Sequence, residues 1–304
     1  MRRGQSIMSR VRFDTVIIYS IFAVVPDGYT DAMRFLLLLL ALAAAPAAAK
    51  PCPAPLQAGA SDLGLSSFRT GGMVRGAAND VLRELARRTG CPLQLVWYPR
   101  ARLWAEYASG NINVTGSSAR TPERDRLAHF VPYVTTRFDL VLSRRVAGKF
   151  KSLAEFVDHG TARLNLVRGI YYTPAVEAQV ARLRQQGRVE LVNDYDVVFK
   201  KIASERAEAT LAPMMIYSLY LGHAGLLEAA TDMPVAESTA LMAGAYFAHG
   251  MSPAAHKLFA DALLGMVADG TVARIYGQYV GEANGRALVP DNGRGIIAAY
   301  RSLL

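Results

Sequence analysis

The chain has 304 residues, 52% of them hydrophobic and 19% charged, with 25 Gly and 14 Pro. This is enough to bury one large or two ordinary cores, and it excludes disorder, collagen-like repeats and low-complexity scaffolding. The net charge of +9 is spread along the sequence; with no basic stripe, RNA motif or zinc-finger spacing, nucleic acid is not an expected partner, and an anionic ligand accounts for the excess equally well.

In chain order, the first feature is a leader. Met33-Arg34 precedes Phe35, a run of five leucines and an alanine-rich stretch ending at Ala49. A positive start, an apolar middle and a small-residue cleavage site describe a secretory signal peptide at 33–49, which places the mature protein in the periplasm. The alternative is a membrane anchor, but the segment is interrupted by Pro46 and falls short of the roughly 20 residues a spanning helix needs. Residues 1–32 are then an extension ahead of the start at Met33, with no folded role expected. The two cysteines, Cys52 and Cys91, can form a disulfide in an oxidising compartment; two buried thiols are the alternative.

From residue 61 onward, short apolar runs alternate with amphipathic stretches. Strands are expected at 62–67, 93–98 and 112–115, with helices at 77–89, where Gly90 supplies the stop, and 101–109. After 139–143 the alternation resumes, with strands at 165–167, 189–192 and 209–212 and helices at 174–186 and 194–203. Another extended stretch at 238–248 leads to a long helix at 253–269, a break at Gly270 and a last helix to about 280. Strands separated by helices imply parallel α/β sheets. Too few strands follow 240 to make a domain alone, so the chain is expected to leave a first lobe (50–143), build a second (144–236) and return (237–281). Two such crossings make a hinge. The tail, 282–304, is expected on the surface.

In open α/β sheets, ligands bind beyond the carboxyl ends of the strands. The richest position of that kind is Thr115-Gly116-Ser117-Ser118-Ala119-Arg120-Thr121-Pro122-Glu123-Arg124. Here a strand is expected to end at Thr115, with two hydroxyls following and Thr121 capping a helix whose first residue is Pro122. Free N–H groups and the planar fork of Arg124 favour an anion. An ordinary capped helix with a solvated arginine is the alternative.

Several segments in order resemble the periplasmic solute-binding proteins of ABC importers, family 3, the polar amino acid-binding type. They are Gly110-Asn111-Ile112-Asn113-Val114, Thr121-Pro122-Glu123-Arg124, the stretch 139–143 and Ala268-Asp269-Gly270-Thr271-Val272-Ala273-Arg274-Ile275-Tyr276. The resemblance covers about 61–281. It implies a type II two-lobe α/β fold, each lobe a mostly parallel sheet flanked by helices, joined by a two-strand hinge that includes 139–143. It also implies that Arg124 grips a ligand carboxylate with Ser117 and Ser118 nearby, that Phe68 walls the pocket at the end of the first strand, and that the partner is an inner-membrane ABC permease. A monomer is expected.

The departures from that pattern narrow the ligand. Ala119 stands where a hydroxyl is usual, so that contact is lost or passes to Ser118. Gly169 is followed by Ile170 and Tyr171 in place of a hydroxyl residue, and Pro213 replaces the acid that holds an amino acid's ammonium group. A buried ammonium without a counter-charge is costly, so an organic acid or a modified amino acid is the preferred ligand class. Arg100, Arg168, Gly169, Tyr171, Tyr172 and Tyr217 are placed by the expected strands near the cleft. Arg100 on the surface, Arg168 paired with an acid and the tyrosines in the core are the alternatives.

Catalytic readings are thinner. The five histidines make no zinc-ligand pair at helical spacing, and neither a nucleophile elbow nor a phosphate loop is present, so no metal or cofactor is expected. The rival function is an enzyme resembling cyclohexadienyl dehydratase on the same fold, with Glu237 or His129 as proton donor or base. A ligand-sensing partner of a membrane receptor is a third reading.

Overall fold

The computed structural model describes Cys52 and residues 55–222 and 226–303; the expected leader at 33–49 and the extension 1–32 lie outside these. The first strand is β1 (Leu56–Ala60), while the 62–67 stretch expected as a strand holds a 3-10 turn at Gly64–Ser66. Leu-Gln-Ala-Gly-Ala has weak strand propensity, and packing overrides it. The strand runs between two partners, and a Cβ on Gly59 would lie 2.7 Å from the Ile112 side chain.

A hairpin of β2 (Phe68–Thr70) and β3 (Met73–Arg75) leads into α1 (Ala77–Thr89), which buries Val81, Leu82 and Leu85 and stops at Gly90 with φ 68°. Then come β4 (Leu93–Trp97), α2 (Arg100–Ala108), β5 (Val114–Ala119), α3 (Pro122–Asp125) and β6 (Ala128–Thr136). The middle of the chain supplies β7 (Asp139–Ser143), α4 (Leu153–His159), β8 (Leu164–Val167), α5 (Pro174–Gln185), β9 (Val189–Val192), α6 (Tyr195–Ala203), β10 (Ala209–Ala212), α7 (Met214–Leu221), α8 (Leu226–Ala229) and β11 (Ala230–Pro234). The last elements are β12 (Leu241–Ala248), α9 (Pro253–Ala268), α10 (Thr271–Val280), α11 (Glu282–Ala287) and α12 (Arg294–Arg301).

Two five-stranded sheets result, ordered β4-β1-β5-β12-β6 and β11-β7-β10-β8-β9. Each is parallel across three strands on one side and antiparallel on the other. The antiparallel pairs involve the strands that enter or leave each half, so the expectation of mostly parallel sheets holds for only half of the pairings. Because β7 pairs with β10 and β11, the first passage between halves falls at residues 137–138, and 139–143 belongs to the second sheet. The second passage covers 235–240.

The first half's core centres on Val81, Leu85, Phe247, Phe259 and Leu263. Cys52 and Cys91 are buried in the same cluster and joined by a disulfide. The terminal segment is more than a surface tail: Leu288, Val289 and Ile296 are buried in this core. In the second half Arg188 acts as a staple. Its guanidinium donates to the carbonyls of Phe156 at 2.7 Å, Val157 at 2.8 Å and Ala162 at 3.0 Å, tying the end of α4 to the strand region that follows. Among the described residues no helix is long and apolar enough to cross a membrane.

Candidate functional site

Between the two sheets lies a cavity of about 80 Å³. The first half contributes Arg100 at the start of α2, Ser117, Ser118 and Ala119 of β5, Arg124 of α3 and Tyr276 of α10; the second contributes Ile170, Tyr171, Tyr195, Pro213, Met215 and Ile216. The halves are shut on one another. The Tyr220 hydroxyl donates to Asp62 Oδ2 at 2.8 Å, and Arg124 Nη2 donates to the Gly169 carbonyl at 3.4 Å. Gly64 (φ 56°) approaches α7 so closely that a Cβ there would lie 2.4 Å from the Ile216 Cα.

Strand β5 runs on through Ser117, Ser118 and Ala119, which were expected to form a loop beyond Thr115. It continues because β12 pairs with it antiparallel, with Gly244 opposite Ser118 and Ala243 opposite Ala119. The serines therefore alternate as strand residues do. Ser118 is buried, donating to the Ser117 carbonyl at 2.8 Å, and Ser117 is half-buried. Thr121 caps α3 by accepting the Arg124 N–H at 3.3 Å, with Pro122 at the first position. That helix is a single turn, too short for its dipole to hold an anion. What the turn does is aim the Arg124 side chain.

Arg124 is 8% exposed and Arg100 7%. Arg124 Nη1 donates to the Ala119 carbonyl at 2.7 Å, and its guanidinium lies 4.5 Å from the Trp104 ring centre. Arg100 stands one turn before Trp104 on α2 and lies 5.9 Å from the same ring. Its donors reach Ser61 Oγ and the Ser117 carbonyl, both at 3.3 Å, and Ser118 Oγ at 3.1 Å; its buried Nε has no partner among the described residues. Neither arginine has an ion pair among the described residues. Burial, and then the neighbouring Arg124 charge, pull Arg100 down to about 9; burial likewise lowers Arg124. No Asp, Glu or His among the described residues lines the cavity.

Several expected site residues lie elsewhere. Phe68 sits in the β2–β3 hairpin, not at the end of the first strand, and faces a second groove, lined from both halves by Asp62, Trp97, Arg100 and Asp194 among others. Arg168 opens onto that same groove, exposed, with Nη2 donating to the Leu191 carbonyl at 3.3 Å. Tyr172 is packed in the second core, its ring 4.8 Å from that of Phe138. Tyr217 donates to Asp139 Oδ2 at 3.0 Å. Of these candidate tyrosines only Tyr171 lines the cavity, and Gly169 meets it through its carbonyl contact with Arg124. Glu237 lies in the second passage and is outside the lining; His129 packs against His249 and His256, with ring centres 4.3 Å apart in both pairs. Among the described residues no group of three or more His, Cys, Asp or Glu is arranged to hold a metal.

Sequence reasoning missed Trp104, Tyr195, Tyr276, Met215 and Ile216. The four-residue spacing of Arg100 and Trp104 on one helix was a usable signal. Tyr195, Met215 and Ile216 come from second-half helices that meet the cavity only once the halves close, and Tyr276 comes from α10, more than a hundred residues along the chain from the other first-half site residues.

The family model described as bacterial extracellular solute-binding proteins, family 3, matches residues 63–282. No curated protein matches the chain. Among solved structures, an ancestral arginine-binding protein bound to glutamine is similar at 19% identity, covering 75% of this chain and 98% of that one, with a TM-score of 0.63. The arginine-, lysine-, histidine-binding protein of Geobacillus stearothermophilus is similar at 15% identity, covering 75% and 96%, with a TM-score of 0.61. An ancestral amino acid-binding protein described as a precursor of cyclohexadienyl dehydratase is similar at 18% identity, covering 74% and 94%, with a TM-score of 0.61. At these identities the likeness is one of fold, the type II two-lobe arrangement.

Proposed function

The chain belongs to the bacterial extracellular solute-binding proteins, family 3, and on that footing we propose that it captures a small carboxylate-bearing solute, amino acid-like or an organic acid, in the periplasm. The closed form is then presented to an ABC-type permease. One observation carries the reading: Arg124 is buried at the cavity, and among the described residues its guanidinium meets neutral oxygens, an indole and a second cation, Arg100, but no anion in an ion pair. A buried cation costs several kcal/mol unless an anion compensates it, and a guanidinium offers a carboxylate two parallel charge-assisted hydrogen bonds.

Closure follows from differential contact. A solute held by Arg124 below and touching Tyr171 or Met215 above gains contacts only in the shut form, and a ligand shifts a conformational equilibrium by its difference in affinity for the two states. On this reading no bond is made or broken. The dehydratase alternative needs a proton donor or base at the solute, and its two candidates, Glu237 and His129, do not line the cavity.

A thermal-shift screen with amino acids and organic acids finds the ligand, since a binder at 100 times its Kd adds about 2.7 kcal/mol of stability. Calorimetry on Arg124→Ala should then show a loss of about 2–5 kcal/mol. Unchanged affinity rejects the site.

A further inference from the structure

We propose that the solute carries two anionic groups and no ammonium group, a short dicarboxylate, with Arg124 taking one carboxylate and Arg100 the other; the proposal rests on the cavity being the binding site. Three observations converge. First, two guanidinium groups, not one, border the cavity, both less than a tenth exposed and both set against Trp104. Among the described residues every acceptor they reach is neutral, and Arg100 keeps a buried Nε with nothing to donate to. Two like charges in one enclosed space repel each other, so a monoanion leaves one of them uncompensated.

Second, among the described residues the lining has no carboxylate for an ammonium group. Pro213 follows β10 at the cavity wall, and the nearest acids on α3 are directed elsewhere: Glu123 is exposed, and Asp125 takes Arg120 at 2.7 Å and the Tyr246 hydroxyl at 3.0 Å. A free amino acid would add a third buried cation. Third, the wall contributed by the second half is largely apolar, with Ile170, Met215 and Ile216. That wall suits a hydrocarbon body between two charged ends, and the specificity arises as much from what the site leaves unpaired in the wrong ligand as from what it pairs in the right one.

The test is calorimetry with matched probes of one chain length: glutarate with two carboxylates, pentanoate with one, and glutamate with two plus an ammonium group, and inorganic phosphate as a compact dianion. Glutarate should bind about tenfold or more tighter than pentanoate or glutamate. Arg100→Ala should erase that preference, with a cooperative melt and a far-ultraviolet circular dichroism spectrum like those of wild type showing that the variant is folded. Arg100→Lys, which keeps the charge and loses the fork, should restore part of it. The proposal is overturned if glutamate or pentanoate equals glutarate, if phosphate binds as tightly as glutarate, if the preference survives Arg100→Ala, or if none of the probes binds. A preference for glutamate that Arg124→Ala abolishes would leave the proposed binding function standing, whereas binding indifferent to Arg124→Ala removes both.

Discussion

The Tyr220 hydroxyl on α7 and Asp62 Oδ2, just beyond β1, meet at 2.8 Å, joining the second half of the molecule to the first. Asp62 Oδ1 also accepts the Gly64 N–H at 3.2 Å, so the turn that touches α7 and the clasp share one carboxylate. Burial raises the Asp62 pKa, against the pull of Tyr220 and Gly64. Parting of the two halves would break this bond.

Tyr220→Phe removes this bond and leaves a partly buried carboxylate short of a donor, at a cost of about 1–3 kcal/mol to the closed form. Apparent solute affinity should fall about 5-fold to 150-fold. Small-angle scattering without ligand should show a larger radius of gyration. An affinity and a radius equal to wild type would mean that the clasp does not contribute to closure.

Gly64→Ala tests the same contact sterically. The added Cβ would lie 2.4 Å from the Ile216 Cα, and φ 56° is unfavourable for any residue with a Cβ. The backbone strain of about 1–2 kcal/mol acts in open and closed forms alike, but the clash acts only in the closed one. Affinity should therefore drop more than thermal stability does, and equal losses in both would count against the contact.

The packed histidines predict a pH dependence. Burial first, and neighbouring imidazoles second, lower His129 and His256 below the ordinary value of about 6.5. The unfolded chain then binds more protons than the native one between that value and the lowered ones. Stability is present above this window and is lost as pH falls through it. Asp62 and Asp139, both raised by burial, act in the opposite sense near the carboxylate range. The measurement is therefore the melting temperature from about pH 7 to about pH 5 for wild type and His129→Asn, and the variant should show the shallower fall.

Reducing the Cys52–Cys91 bridge releases a 39-residue separation. Loop-closure entropy puts the loss at about 3–4 kcal/mol, and the melting temperature should fall by about 6–12 °C on adding dithiothreitol. The double variant Cys52→Ser, Cys91→Ser should melt at the lower temperature and ignore the reductant. A wild-type melting temperature that dithiothreitol leaves unchanged would contradict this account.

Local patterns marked most of the elements. Val81, Leu82 and Leu85 on one face, closed by Gly90, delimit α1, and Thr121-Pro122 marks the turn that carries Arg124. Strands β9 and β10 were legible as bounded apolar runs. Strand β1 was not, because Ala58, Gly59 and Ala60 have no strand signature and are extended only by pairing with β4 and β5. The end of β5 was misjudged for the same reason, its partner β12 lying more than a hundred residues away.

The sequence alone determined the α/β alternation, the family resemblance and the arginine at the start of α3, since caps, periodicity and short motifs act over a few residues. Only the tertiary structure decided that Arg100 shares Trp104 with Arg124, that Phe68 and Arg168 face a second groove, and that Tyr195, Met215 and Tyr276 line the cavity. Those relations join side chains far apart in the chain, some within one half and some across the two, and no local pattern specifies them because they come into being only when the sheets and helices pack.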